Sequence, residues 1–210
     1  VRSLGLDVDI IHPLDLTNNT YSLVIAPALT LVSDEVAKVL KATAKTTKMM
    51  FGPRTAFRTE SGLVPKDGQF SAIAEMVGIK LANFDSLRPT LTQEIVPFDK
   101  VDENQYQAKL WCESYELITA KALYHYSEGP MSGKAAVTEL DKVVVIGALS
   151  QQLISALVKQ CCVELQIATE EMAEGVRMSH RGEHCLLQNF NQHAVEFAGH
   201  SIPAVSSIIK

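Results

Sequence analysis

No run of about 18 apolar residues occurs in the 210-residue chain, so no membrane-spanning helix and no membrane partner are expected. No basic run occurs either. Lys and Arg number 19 against 24 Asp and Glu, a net charge of −5, which argues against nucleic acid as a partner. Four cysteines are present, Cys112, Cys161, Cys162 and Cys185, and none forms a C-x-x-C pair. Cys161 and Cys162 would point apart on a helix and suit neither one disulfide nor one metal. The four read as free thiols of a cytosolic protein, with zinc ligation as the alternative. The chain also lacks a G-x-S-x-G or G-x-C-x-G nucleophile elbow, a P-loop, a G-x-G-x-x-G turn and an H-E-x-x-H pair. Each of those chemistries needs particular residues at a tight turn or on one helix face. No catalytic residue, cofactor or metal ligand is therefore assigned.

Apolar residues make up 47% and charged residues 20%, a composition of folded rather than disordered chains. The length suits one large domain or two small ones. VRSLGLDVDIIHP at the start reads as a helix exit through Gly5 followed by a strand from Leu6 to Ile11. That is the middle of an α/β unit, and the chain is expected to be a piece of a larger polypeptide. Tyr21 to Ala26 is an apolar run of the kind found in buried parallel strands. Ser33 is a good N-cap, with Asp34 and Glu35 in the first turn of the following helix. Lys48 to Phe51 forms the next strand, so a βαβ crossover with parallel pairing is predicted. Residues 54–68 form a polar, turn-rich exposed loop. Phe70 to Val77 is a short helix ended by Gly78, and Ile79 to Phe84 a strand.

From Ala108 the pattern changes to antiparallel or mixed β, including two strands around a turn near Asp141. A helix runs from Ser150 or Gln151 to about Cys162, with Leu153, Leu157 and Val158 on its inner face. From about residue 170, short strands separated by turns predict a small antiparallel β module.

Several residues could carry chemistry. His180, His184, His193 and His200 cluster in the C-terminal segment, but turns separate them, and they read as surface histidines rather than metal ligands. Glu113 and Glu116 are three apart in a strand and face opposite sides, which disfavours a glycosidase acid/base pair. Trp111 could stack on a sugar, although a lone Trp in a strand suits a core or an interface better. Arg54 and Arg58 lie in the loop after a parallel strand, where α/β sheets often bind ligands, and a subunit contact is the favoured role.

The ordered segments GLDVDIIHP, YSLVIAPALTLVSDEVAKVLKATAKTTKMMFGPRTAFRTESGLVP, MVGIKLANFDSLRP and AKLWCESYELITAKALYHYSEGPMSGKAAVTEL resemble a known domain. It is the middle domain of bacterial β-galactosidases of glycoside hydrolase family 42. Tyr126 to Thr138 matches that family's glycine-lysine-proline-alanine-valine-threonine segment, with Ala135 where proline is usual. VRMSHRGEHCLLQNFN resembles the start of the family's small C-terminal β domain.

The resemblance implies an α/β fold: a flavodoxin-like, class I glutamine amidotransferase-like three-layer domain over residues 1–168, then a small antiparallel β module over 169–210. It implies a non-catalytic trimerisation segment of a cytoplasmic β-galactosidase. The parent would hydrolyse terminal β-D-galactosides with two glutamates of an N-terminal (β/α)8 barrel that this chain lacks. The expected partner is therefore the chain itself, as a homotrimer, and galactoside is met only through the absent barrel. Symmetric trimers use head-to-tail interfaces, so two different patches are expected to be buried. Arg54, Arg58 and Trp111 are the candidate interface residues. The alternatives are a carbohydrate-binding module or an independent amidotransferase-like enzyme.

Overall fold

In the computed structural model, which describes residues 1–18, 20–99 and 104–209, the run after Tyr21 narrows to strand β1 (Leu23–Ala26). Helix α1 (Asp34–Thr43) follows. The Ser33 hydroxyl accepts the Val36 N–H at 3.1 Å, and Asp34 and Glu35 sit at the positive end of the helix dipole. Val36, Ala37 and Leu40 form its buried face. Strand β2 (Lys48–Phe51) then pairs in parallel with β1, from Leu23 opposite Lys48 to Ala26 opposite Phe51. The βαβ crossover is thus present. All four β2 residues are buried, as a strand covered on both faces requires.

A 3-10 turn at Ser71–Ile73 leads into α2 (Ala74–Val77), which ends at left-handed Gly78. Strand β3 spans Ile79–Ser86 and runs two residues beyond the predicted end. Two unpredicted strands follow, β4 (Gln93–Pro97) and β5 (Tyr106–Ala108). Strands β6 (Trp111–Leu117), β7 (Lys121–Tyr126), β8 (Ala135–Leu140) and β9 (Val143–Ile146) supply the antiparallel section. The β8–β9 turn passes through left-handed Asp141, as its sequence suggested.

These nine strands form one mixed sheet. β1, β2 and β9 are parallel; β9, β8, β7, β4 and β5 continue it as antiparallel neighbours. The sheet forks at β8. Val137 to Leu140 pair with β9, whereas Ala135 pairs with Tyr115 of β6, which carries β3 on its other edge. Leu40, Met49, Phe51, Phe70, Ile73, Tyr115, Val143 and Val145 form the core of this part. The chain divides into two compact units, Ile11–Ile154, which holds this sheet, and Val1–Ile10 with Ser155–Lys210.

Helix α3 (Gln151–Glu164) follows, belonging to the second unit from Ser155 onward, and Leu157 and Val158 are buried. Strands β10 (Val176–Arg181), β11 (His184–Asn189), β12 (Val195–Phe197), β13 (His200–Ile202) and β14 (Ser206–Ile209) follow. They form a three-stranded antiparallel sheet, β10-β11-β14, and a β12-β13 hairpin around Val176, Leu187 and Ile202. The predicted strand at Leu6–Ile11 is absent. A 3-10 turn at Arg2–Leu4 does exit through left-handed Gly5, but residues 6–12 form no strand. The segment is held by a side chain instead of a ladder: the Asp7 carboxylate accepts the His180 N–H at 3.1 Å and lies 2.9 Å from its Nδ1.

Candidate functional site

Arg54 and Arg58 are placed by a tight exit from β2. The Gly52 N–H donates to the Ala26 carbonyl at 2.9 Å, and a Cβ on Gly52 would lie 1.8 Å from the Pro27 carbonyl oxygen, so only glycine fits. Arg54 and Ala56 then adopt left-handed conformations, and the buried Thr55 hydroxyl donates to the Gly52 carbonyl at 2.8 Å. Beyond them the loop pairs with the segment after β1: Ala56 N–H to Leu29, Arg58 N–H to Thr30. The start of the predicted exposed loop is therefore packed, with Thr55 and Ala56 buried.

Trp111 opens β6, opposite Ser86 of β3, and Phe84 lies opposite Glu113. Phe84 and Trp111 are thus diagonal neighbours on one face. Their rings stack at 5.2 Å with 16° between planes. The Arg54 guanidinium lies over both the Trp111 ring (4.8 Å) and the Phe57 ring (4.5 Å), and the Arg58 guanidinium lies 4.9 Å from Phe57. The structure therefore brings Arg54, Arg58 and Trp111 together in one continuous stack, ordered Phe84, Trp111, Arg54, Phe57, Arg58. Each cation–π contact contributes about 0.5–1 kcal/mol at such a half-exposed site. Exposed Leu110 precedes Trp111, and exposed Leu31 bridges Arg58, so apolar side chains flank the stack.

Phe57 and Phe84 were not singled out by sequence. The spacing Arg-x-x-Phe-Arg was the available signal for Phe57. For Phe84 it was an aromatic among polar neighbours on a strand whose second half is exposed.

Beneath the stack sits Glu113, fully buried. Its Oε1 accepts the Arg54 backbone N–H at 2.8 Å and the Trp111 indole N–H at 3.0 Å. Its Oε2 accepts the Gln69 side-chain amide at 3.1 Å and the Tyr115 hydroxyl at 3.0 Å. Burial, and then the neighbouring Glu113 charge, hold the Tyr115 phenol well above its ordinary range. Burial pushes the adjacent Cys112 thiol up to about 11. Glu116 is exposed, so the two glutamates do not face a common cleft.

Four left-handed non-glycine residues adjoin this carboxylate's partners: Arg54, Ala56, Phe70 beside Gln69, and Leu110 beside Trp111. Each costs about 1–2 kcal/mol. Hydrogen bonds to a charged group return about 1.5–3 kcal/mol each, but desolvating a carboxylate costs several. The terms are of one size. Glu113 therefore fixes a conformation more than it adds net stability.

The remaining sequence candidates do not converge. His180 bonds to Asp7, and no group of three His, Cys, Asp or Glu among the described residues is placed to hold a metal. None of the four cysteines is in a disulfide; Cys112, Cys161 and Cys162 are buried and Cys185 is half-buried. No helix among the described residues is long and apolar enough to cross a membrane.

Comparison with known proteins gives this surface a setting. The chain is 26% identical over 200 residues to a β-galactosidase of Thermus thermophilus, covering 93% of this chain and 29% of that protein. It is 27% identical over 209 residues to the β-galactosidase Bga of Halorubrum lacusprofundi, covering 90% of this chain and again 29% of the relative. The chain thus spans under a third of the curated relatives it matches. Among solved structures, the polyextremophilic β-galactosidase of Halorubrum lacusprofundi superposes with a TM-score of 0.87 at 22% identity, over 99% of this chain and 34% of that one. The β-galactosidase of Rahnella sp. R3 gives 0.86, also at 22% identity, over 99% of this chain and 34% of that one. At that identity the two structures speak to the fold. The model of the β-galactosidase trimerisation domain matches residues 1–168, four-fifths of the sequence, and the chain belongs to that family.

Proposed function

We propose that this chain is the assembly segment of a β-galactosidase, and that the stack of Arg54, Arg58 and Trp111 is one half of a head-to-tail contact with a second copy. The observation that carries the proposal is the stack itself. Three residues from a loop and a distant strand converge on one half-exposed surface, flanked by Leu31 and Leu110, in a chain whose family is defined by trimerisation. Aromatic and arginine side chains are the types enriched where interfaces concentrate their binding energy. In a closed trimer the complementary patch lies elsewhere on the neighbour.

The parent protein hydrolyses terminal β-D-galactosides with carboxylates outside these residues and works in the cytoplasm; the four cysteines, none of them in a disulfide, fit that compartment. Within the fold, β1-α1-β2 and parallel β9 support a flavodoxin-like, amidotransferase-like core. Residues 1–168 form the trimerisation domain and 169–210 the small β domain. A carbohydrate-binding role is disfavoured because Phe84 and Arg54 already lie over the Trp111 ring.

Light scattering behind a sizing column tests the assembly. A mass of about three times the 23.0 kDa of the chain is expected. A monomer that persists at high concentration would refute self-assembly by this segment. Hydrolysis of a nitrophenyl β-D-galactoside by the full-length polypeptide, and not by this chain, is the expected activity result.

A further inference from the structure

We infer that Glu113 is the positioning residue of the Arg54–Trp111 surface, holding it in its binding conformation before a second copy arrives. The inference rests on the assembly role proposed for that surface and adds the residue that shapes it. Three segments distant in sequence build the patch: the β2 exit around Arg54, the turn around Gln69 and Phe70, and the start of β6 at Leu110 and Trp111. Each segment contains at least one left-handed non-glycine residue. Each also sends one donor to the same buried carboxylate.

The chemistry of the donors makes the carboxylate specific. A backbone N–H and an indole N–H can only donate, so Oε1 must accept twice. A glutamine side chain at this position has one oxygen for those donors and brings two N–H groups where the Gln69 amide already donates. One or more donors would be left buried and unpaired. The arginine and indole are thereby set at 4.8 Å, with the guanidinium already oriented. Preorganisation of this kind lowers the ordering cost that association must otherwise meet.

Trp111 is the single tryptophan of the chain, so its fluorescence reports this site alone. The test compares the chain with Glu113→Gln, Gln69→Leu and Arg58→Glu, reading solution mass, far-UV circular dichroism and, on samples diluted until each chain is monomeric, acrylamide quenching of Trp111. Glu113→Gln should keep its dichroism, raise the quenching constant about twofold or more, and weaken self-association about tenfold. Should Glu113→Gln not fold, Gln69→Leu carries the test. It removes one of four donors, and the Gln69 Oε1 has no partner to lose. It should shift quenching in the same direction by a smaller amount.

Wild-type quenching in a folded Glu113→Gln or Gln69→Leu chain would overturn the inference. Arg58→Glu separates it from the assembly proposal. Arg58 stacks on Phe57, so Arg58→Glu should lower the mass while the quenching of the diluted, dissociated chain matches that of dissociated wild type. An unchanged mass in Arg58→Glu would refute the interface, and the quenching results would still decide the positioning role.

Discussion

Replacing Gly147 with alanine should be among the most damaging one-methyl changes in this chain. Gly147 follows β9 at the fork where β6 and β9 share the edge of β8. A Cβ there would lie 2.3 Å from the Glu113 carbonyl oxygen, 3.0 Å from the Ala136 carbonyl oxygen and 3.0 Å from Tyr115 Cε2. The first two are backbone atoms, so no rotamer change relieves the contact. Gly147 is not in the left-handed region, and alanine could adopt its backbone angles. The cost is therefore one of space.

Relief requires β6 to move away, which stretches the Glu113 N–H to Gly147 bond (2.6 Å) and the Tyr126 hydroxyl to Glu113 carbonyl bond (2.8 Å). Overpacking alone costs about 1–3 kcal/mol, and each weakened bond adds up to about 1 kcal/mol. The expected loss is about 3–4 kcal/mol, or about 10 °C in melting temperature for a chain of this size.

Gly133→Ala is the control. Gly133 has φ of +74° and nothing within 4 Å of where a Cβ would stand, so alanine carries only the backbone penalty of about 1 kcal/mol. Urea unfolding followed by Trp111 fluorescence and by circular dichroism measures both. A Gly147→Ala cost no larger than that of Gly133→Ala would refute the crowding argument.

Two further outcomes follow from local geometry. Ser33→Ala removes the hydroxyl that accepts the Val36 N–H, and should lower unfolding free energy by about 1 kcal/mol, recovered in part by Ser33→Asp, as read from urea midpoints. Glu139 gives the acid limb. Burial raises its carboxyl, but hydrogen bonds from Lys48 (2.6 Å) and Lys121 (2.9 Å) outweigh burial and hold it below the ordinary 4.5. A depressed folded value means stabilisation that is full above 4.5 and lost as pH falls through the lower folded value. Glu139→Gln should therefore flatten the decline of the urea midpoint between about pH 5 and 3, and an unchanged decline would count against the pairing.

What the sequence made legible was whatever local chemistry decides. The Ser33 cap, the Gly78 stop, the buried KMMF run and the Asp141 turn each act within a few residues, and each appears where expected. β4 and β5 were not legible. QEIVP has no alternating pattern and ends on proline, and β4 exists because Tyr126, His125 and Tyr124 of β7 pair with it. The opposite error at Leu6–Ile11 has the same root. Its apolar residues suggest a strand, but a strand needs a neighbour's ladder, and Asp7 holds the segment through His180 instead.

The candidate site divides along the same line. Arg54, Arg58 and Trp111 stood out as residue types in suggestive places. Their union depends on the register that sets Phe84 opposite Glu113, and on left-handed turns at non-glycine residues, which no propensity announces. Glu113 is the sharpest case. Beside Glu116 in sequence it invites comparison with an acid/base pair, and strand alternation alone separates the two. Its actual work follows from burial among four donors, two from its own strand and two brought by segments 59 and 44 residues away. A carboxylate so enclosed cannot meet a substrate. It can hold three strained segments in register, and a surface that must match a second copy of itself needs that rigidity more than it needs reactivity.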